Sequence, residues 1–287
     1  MNAARFRRIM LAVPWTWAAF LFLLPLAVIV KISLAETMVG VPPYTPLLES
    51  GSVRATLANY RDVFADSFYA GAYAGSLKIA GFATVLAVLA GYPMAYAIAQ
   101  APERRRGFLL LLVTLPFWTS LLIRVYAWIG LLRPGGVINR LLESAGLIDA
   151  PLKLINTTGA VCLGMVYAYL PFMVLPLYAR LERLDPALIE AANDLGARPW
   201  RAFLAVTLPL SLPGVVAGAL LVFIPCVGEF VIPDLLGGPD TVMIGKVLWS
   251  EFFSRRDWPL SAALTVAMMA VLVIPILALQ RTLGEEP

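Results

Sequence analysis

Six stretches of roughly twenty residues, almost free of charge, constrain what this chain can fold into more than any other feature. They cover residues 10–30, 77–99, 108–132, 159–177, 213–232 and 260–279. A soluble domain carries about 25% charged residues. Here only 14% are charged, 60% are apolar and the mean hydropathy is +0.82. In lipid every backbone polar group must be satisfied within its own segment, so each stretch reads as a spanning helix. The expectation is a single all-α integral membrane domain over residues 1–287 with six transmembrane helices.

Orientation follows from the short loops. Arg5, Arg7 and Arg8 precede the first stretch, Arg104, Arg105 and Arg106 fill the second connection, and Arg281 follows the last. Basic short loops stay cytoplasmic, which puts both termini inside. The first stretch has a basic flank like a secretory leader, but its length and the want of a small-residue cleavage site read as an uncleaved helix. The net charge of +4 and pI near 9.2 then reflect topology, not nucleic-acid binding.

The sequence holds no histidine, which removes His-based general catalysis, Ser-His-Asp arrangements and HExxH zinc sites. Cys162 and Cys226 lie in spans four and five and read as small apolar core residues. No catalytic residue and no metal site is expected. There is no phosphate-binding loop either: residues 238–246 have the wrong glycine spacing, and Val247 stands where Ser or Thr would hold magnesium. If ATP drives this protein, its magnesium complex is bound by another chain.

The loop at 181–211 is rich in local signals. Asp185-Pro186 is a helix start with a capping carboxylate and a proline at the first helical position. Residues 187–195 form an amphipathic helix that Gly196 can end in a left-handed cap. Pro199 opens a second short helix, and Pro209 is expected to stop it before span five. Leu188, Ala191, Ala192 and Leu195 offer an apolar face suited to helix-in-groove recognition.

Glu190-Ala191-Ala192, then, after three intervening residues, Gly196, with Val206 and Leu208-Pro209 further on, resemble the coupling-loop motif of binding-protein-dependent ABC importer permeases. That family usually has isoleucine in place of Val206. The resemblance implies a type I ABC importer permease fold in a bacterial inner membrane. It also implies that Glu190, Ala191, Ala192, Gly196, Leu208 and Pro209 couple the chain to a separate ATPase. Residues 115–132 (LPFWTSLLIRVYAWIGLL), 166–178 and 227–253 are similar to polyamine permeases, particularly the first membrane subunit of putrescine importers. The implied partners are a second homologous permease, two ATPase subunits, an external polyamine-binding protein and membrane lipid.

A polycation path calls for carboxylates and aromatic faces. Glu229, near the outer end of span five, and Asp234 beyond it are the acidic candidates; an ionisable group at membrane depth is a functional candidate by default. Trp118 and Tyr126, eight residues apart, fall within about 80° on an unbroken helix and can face one lumen. Arg124 lies mid-span and must be paired or hydrated. Glu229 either lines the path or is the structural partner of Arg124, and the sequence leaves both open. Rival readings are an importer for an anion with Arg124 as ligand, a membrane-embedded enzyme, and a self-sufficient secondary transporter. Internal repeats and paired catalytic carboxylates, which the last two would show, are not evident. Between residues 31 and 76, Phe64 and Phe68 at helical spacing predict a short surface helix.

Overall fold

The computed structural model describes the backbone of residues 3–49 and 52–284, and the side chains of residues 10–47, 54–274 and 277. The side chains of Arg5, Arg7, Arg8 and Arg281, which set the expected orientation, lie outside that set.

The apolar stretches are helices. In chain order they are α1 Ala3–Ser33, α2 Ala58–Ala65, α3 Ser67–Gln100, α4 Glu103–Thr114, α5 Leu121–Leu132, α6 Val137–Ser144 and α7 Thr158–Leu181. Then come α8 Pro186–Asp194, α9 Pro199–Ala202, α10 Leu208–Val227, α11 Val231–Leu236, α12 Ile244–Trp249 and α13 Trp258–Gly284. A two-residue antiparallel ladder, β1 Leu48–Glu49 with β2 Ser52–Val53, is the one paired sheet among the described residues. Five helical runs are long and apolar enough to cross a membrane: Met10–Ser33, Ser67–Gln100, Leu121–Ser144, Thr158–Leu181 and Pro199–Val227. The sixth expected span corresponds to α13, in which Trp258–Ile274 is the described apolar part.

The helices gather into two units, residues 1–71 with 247–287, and residues 72–246. In the first, α1 and α2 both pack on α13. Asn59 donates to the Ser33 and Ala35 carbonyls at 2.9 and 2.8 Å, fixing the exit of α1 onto α2. Asp66 interrupts the expected Phe64–Phe68 helix: α2 ends at Ala65, and the Asp66 carboxylate accepts from the Phe68 N–H to start α3. The span begun at 77 in the sequence therefore starts ten residues earlier, at Ser67.

In the second unit α7 is the central helix, packed on α10, α11, α5 and α4. Small residues let α7 and α10 approach closely, the usual device where lipid supplies no hydrophobic drive between helices. A Cβ at Gly218 would stand 3.0 Å from the Met173 carbonyl oxygen and 3.2 Å from its Cα, and one at Gly214 3.3 Å from the Leu177 Cα. Gly218→Val should therefore force α7 and α10 apart. We expect a loss of about 1–3 kcal/mol, read as a lower apparent melting point of the detergent-solubilised protein.

Span three departs from expectation, because 108–132 is not one helix. Pro116 has no N–H for the Leu112 carbonyl and its ring crowds that carbonyl. The chain tightens into a 3-10 turn over Leu115–Trp118, where the Thr119 N–H and hydroxyl both donate to the Pro116 carbonyl at 3.2 and 2.9 Å. Thr119 is then extended and α5 starts afresh at Leu121.

Candidate functional site

The loop between α7 and α10 is built as a rigid knob. The Asp185 carboxylate accepts from the Ala187 N–H at 3.0 Å, and Pro186 occupies the first helical position of α8. Gly196 has φ of +85°, and its N–H and that of Ala197 donate back to Asn193 and Ala192 at 2.8 and 3.1 Å. That pair of bonds closes α8 in a Schellman motif. Its base is clamped: Arg106 pairs with Glu182 at 3.4 Å, Tyr178 donates to the same carboxylate at 2.6 Å, and the Arg180 Nε donates to the Leu210 carbonyl at 3.0 Å. Phe203 is held edge-on by Tyr92 and Tyr96, each 5.6 Å away between ring centres.

Pro209 does not stop the second helix of the loop, contrary to expectation. Residues Phe203–Thr207 form a π-turn in which the Leu208 N–H reaches the Phe203 carbonyl, and α10 continues through Pro209 into the span. The wider turn accommodates a residue that cannot donate and would clash in a regular helix. The knob is thus joined to α10 by continuous helix from Pro199.

Leu188, Leu195 and Trp200 are exposed, Leu195 at 90%. Ala191 is exposed and Ala192 half-buried beside them. Glu190 faces outward at the rim of a hollow of about 310 Å³ lined by Tyr96, Gln100 and Thr207. Leu208 is half-buried and Pro209 exposed.

Near the other end of α10 the structure assembles a second constellation, at a break. α10 ends at Val227, Gly228 turns, and the Glu229 carboxylate folds forward to accept from the N–H groups of Phe230, Val231 and Ile232 at 3.1, 2.9 and 3.4 Å. Its other oxygen accepts from the Tyr169 hydroxyl. Glu229 is 8% exposed. It therefore satisfies the orphan donors at the start of α11. Gly245 seals the break, since a Cβ there would meet the Gly228 and Glu229 carbonyls at 2.4 and 2.5 Å.

Arg124 forms no ion pair with Glu229 among the described residues; its guanidinium lies over the Phe117 ring, 5.7 Å from the centre. Its Nε and Nη1 are buried and have no hydrogen-bond partner. Phe117 in turn packs edge-on to Phe172 at 5.0 Å, and Phe172 stacks near Tyr169 at 6.2 Å. Aromatic rings thus separate the arginine from the carboxylate.

Asp234 forms an ion pair with Lys246 at 3.1 Å, both half-exposed. Trp118 and Tyr126 are 83% and 60% exposed, but the break at Thr119-Ser120 divides them, so the helical-phase argument that put them on one face does not hold. Trp128 is turned inward against Tyr167, with ring centres 5.5 Å apart.

Sequence reasoning missed Tyr169, whose role exists only through Glu229 sixty residues away, and Glu251. Glu251 is 2% exposed and accepts from the Tyr69 hydroxyl at 3.3 Å and the Arg255 Nη1 at 2.9 Å, while its Oε2 has no partner. Burial raises its carboxyl above the ordinary range, Arg255 and the Tyr69 bond offset part of that, and Asp257 adds to it. A carboxyl raised in the folded state contributes stability below its unfolded pKa and loses it as pH climbs through the folded value. Glu251→Gln should accordingly flatten the fall in apparent melting temperature as pH rises above the ordinary carboxylate range, measured on the same solubilised protein.

Comparison with known proteins agrees with this architecture. A family model described as binding-protein-dependent transport system inner membrane component matches residues 3–285. The spermidine/putrescine transport system permease protein PotB of Haemophilus influenzae is 38% identical over 281 residues, covering 96% of this chain and 94% of that protein. PotB of Escherichia coli is 41% identical over 226 residues, covering 79% and 82%. A solved bacterial alginate ABC transporter, in complex with its alginate pentasaccharide-bound periplasmic protein, superposes with a TM-score of 0.67. Its sequence identity is 17%, over 98% of this chain and 96% of that one. The chain belongs to the family of binding-protein-dependent transport system inner membrane components, as a multi-pass transport subunit rather than an enzyme.

Proposed function

We propose that this chain is a membrane subunit of an ATP-driven importer of putrescine or spermidine. The observation that carries this reading is the similarity to PotB over 96% of the chain, loops included, where apolar composition alone cannot produce it. A second, homologous permease completes the path, and two ATPases bind ATP and magnesium and grip the knobs. An external binding protein, like the one seen with the alginate transporter, delivers the polyamine. Both termini lie in the cytoplasm, with the α7–α10 loop on the same side. Closure of the ATPases displaces α8 and α9, and the unbroken helix from Pro199 to Val227 carries the displacement into the membrane. Glu190, at the rim of its hollow, fixes how the knob sits against α3 and takes no part in chemistry.

The candidate carboxylates are already engaged, Glu229 as a cap and Asp234 with Lys246. Recognition of the polycation in this subunit therefore falls first to exposed aromatic faces, Trp118 and Tyr126, through cation–π contact. One observation favours a rival: the unpartnered Arg124 nitrogens suit an anion. Uptake of radiolabelled putrescine and spermidine, in cells lacking this gene and every other polyamine system, decides between them. Restoration by the wild-type chain supports the proposal. Uptake unchanged by the deletion, with an anion stimulating the partner ATPase, supports the rival.

A further inference from the structure

We infer that the groove between α3 and α7 is a binding site for one anionic phospholipid, whose phosphate is held by Lys153. The groove holds about 590 Å³ and is lined by Phe82, Leu86, Ala90, Leu163 and Val166, with Lys153 as its charged residue. Phe82 to Ala90 spans eight residues, about 12 Å of helix. An apolar groove of this length with a lysine among its lining residues is complementary to an anionic lipid, the acyl chain along the wall and the phosphate at the ammonium.

Lys153 is exposed, but the backbone that carries it is pinned on both sides. Asn139, fully buried, donates to the Leu152 carbonyl at 3.0 Å and accepts from the Leu152 N–H at 2.9 Å. On the other side Thr157 donates to the Leu154 carbonyl at 2.7 Å and caps α7 through the Ala160 N–H at 3.1 Å. The lysine is thus carried on a strap pinned at both neighbours. Among the described residues no carboxylate pairs with it. Its methylene stem can lie along the apolar wall while the ammonium meets a phosphate at the interface. The strap stands at the N-terminal end of α7, which under the proposed orientation is the outer leaflet.

The test uses membranes containing the assembled transporter, reconstituted in vesicles with trace photoactivatable phosphatidylglycerol or photoactivatable phosphatidylcholine. Crosslinked peptides are identified by mass spectrometry. Phosphatidylglycerol should label residues 82–90 and 159–166 about fivefold more than phosphatidylcholine, the ratio that ~1 kcal/mol from one lysine gives. Lys153→Glu should bring that ratio to one or below. Ala90→Phe, which fills the exposed floor, should suppress labelling by both probes while labelling of α1 continues, showing that the protein is still embedded and folded. Equal labelling by the two lipids, an unchanged ratio in Lys153→Glu, or protection of these segments in the wild type would each overturn the inference. Labelling is read without any transported solute, so a failure here and a failure of the polyamine assignment are separate results.

Discussion

Leu188→Asp combined with Leu195→Asp should abolish ATP-driven uptake and release the ATPase subunits during purification, while the variant still reaches the membrane at wild-type levels. Both side chains are exposed, Leu188 at 47% and Leu195 at 90%, so neither contributes enough packing within the chain for its loss to unfold the knob. Each leucine fully buried on a partner contributes about 1.5–3 kcal/mol. Losing two, and placing a carboxylate in each apolar contact instead, weakens docking by roughly two to four orders of magnitude at 1.4 kcal/mol per tenfold. Co-purification of the ATPase with the tagged permease reads the docking directly, and uptake reads its consequence. Retention of the ATPase by the double variant would mean that the knob is not the docking element. The milder Glu190→Ala separates seating from contact: it leaves the apolar face whole and opens the hollow behind α8.

Parts of this knob were legible because their causes are local. A carboxylate before a proline, and a glycine ten residues on, specify the start and the stop of α8 without any tertiary information, and the structure holds both. Pro209 was misread for the same reason. Seen locally it ends a helix, whereas the preceding π-turn makes room for it. Hydropathy located the apolar segments but ran straight through two interruptions. Thr119-Ser120 and Gly228-Glu229 sit in windows that remain apolar on average, so a period or a mean cannot register where the backbone changes course. The partners of Glu229 were equally hidden. Tyr169 is sixty residues away, and the three backbone donors exist as a group only once α11 has formed. The lysine strap needs Asn139 to meet Leu152 across a turn, for which the sequence carries no signal.

The break at Glu229 gives the second large effect, and it separates two roles that sequence left open. Glu229→Ala removes the acceptor of three backbone N–H groups and a tyrosine hydroxyl in a buried site. Hydrogen bonds to a charged group contribute about 1.5–3 kcal/mol each, and buried donors left without a partner carry a further penalty. Even if water recovers half of these bonds, about 3 kcal/mol is lost, enough to lower the amount of assembled transporter. Glu229→Gln keeps an acceptor oxygen for the α11 donors, and its amide can donate to the Tyr169 hydroxyl, so the break survives and only the charge is removed. Because the carboxylate is committed to the cap, we expect the glutamine variant to assemble normally and to transport polyamine with a KM close to wild type. The alanine variant should lose uptake in proportion to its lowered abundance. A glutamine variant present at full level with KM raised tenfold or more would instead place the Glu229 charge on the substrate path. In that case α11 must release its cap during each transport cycle.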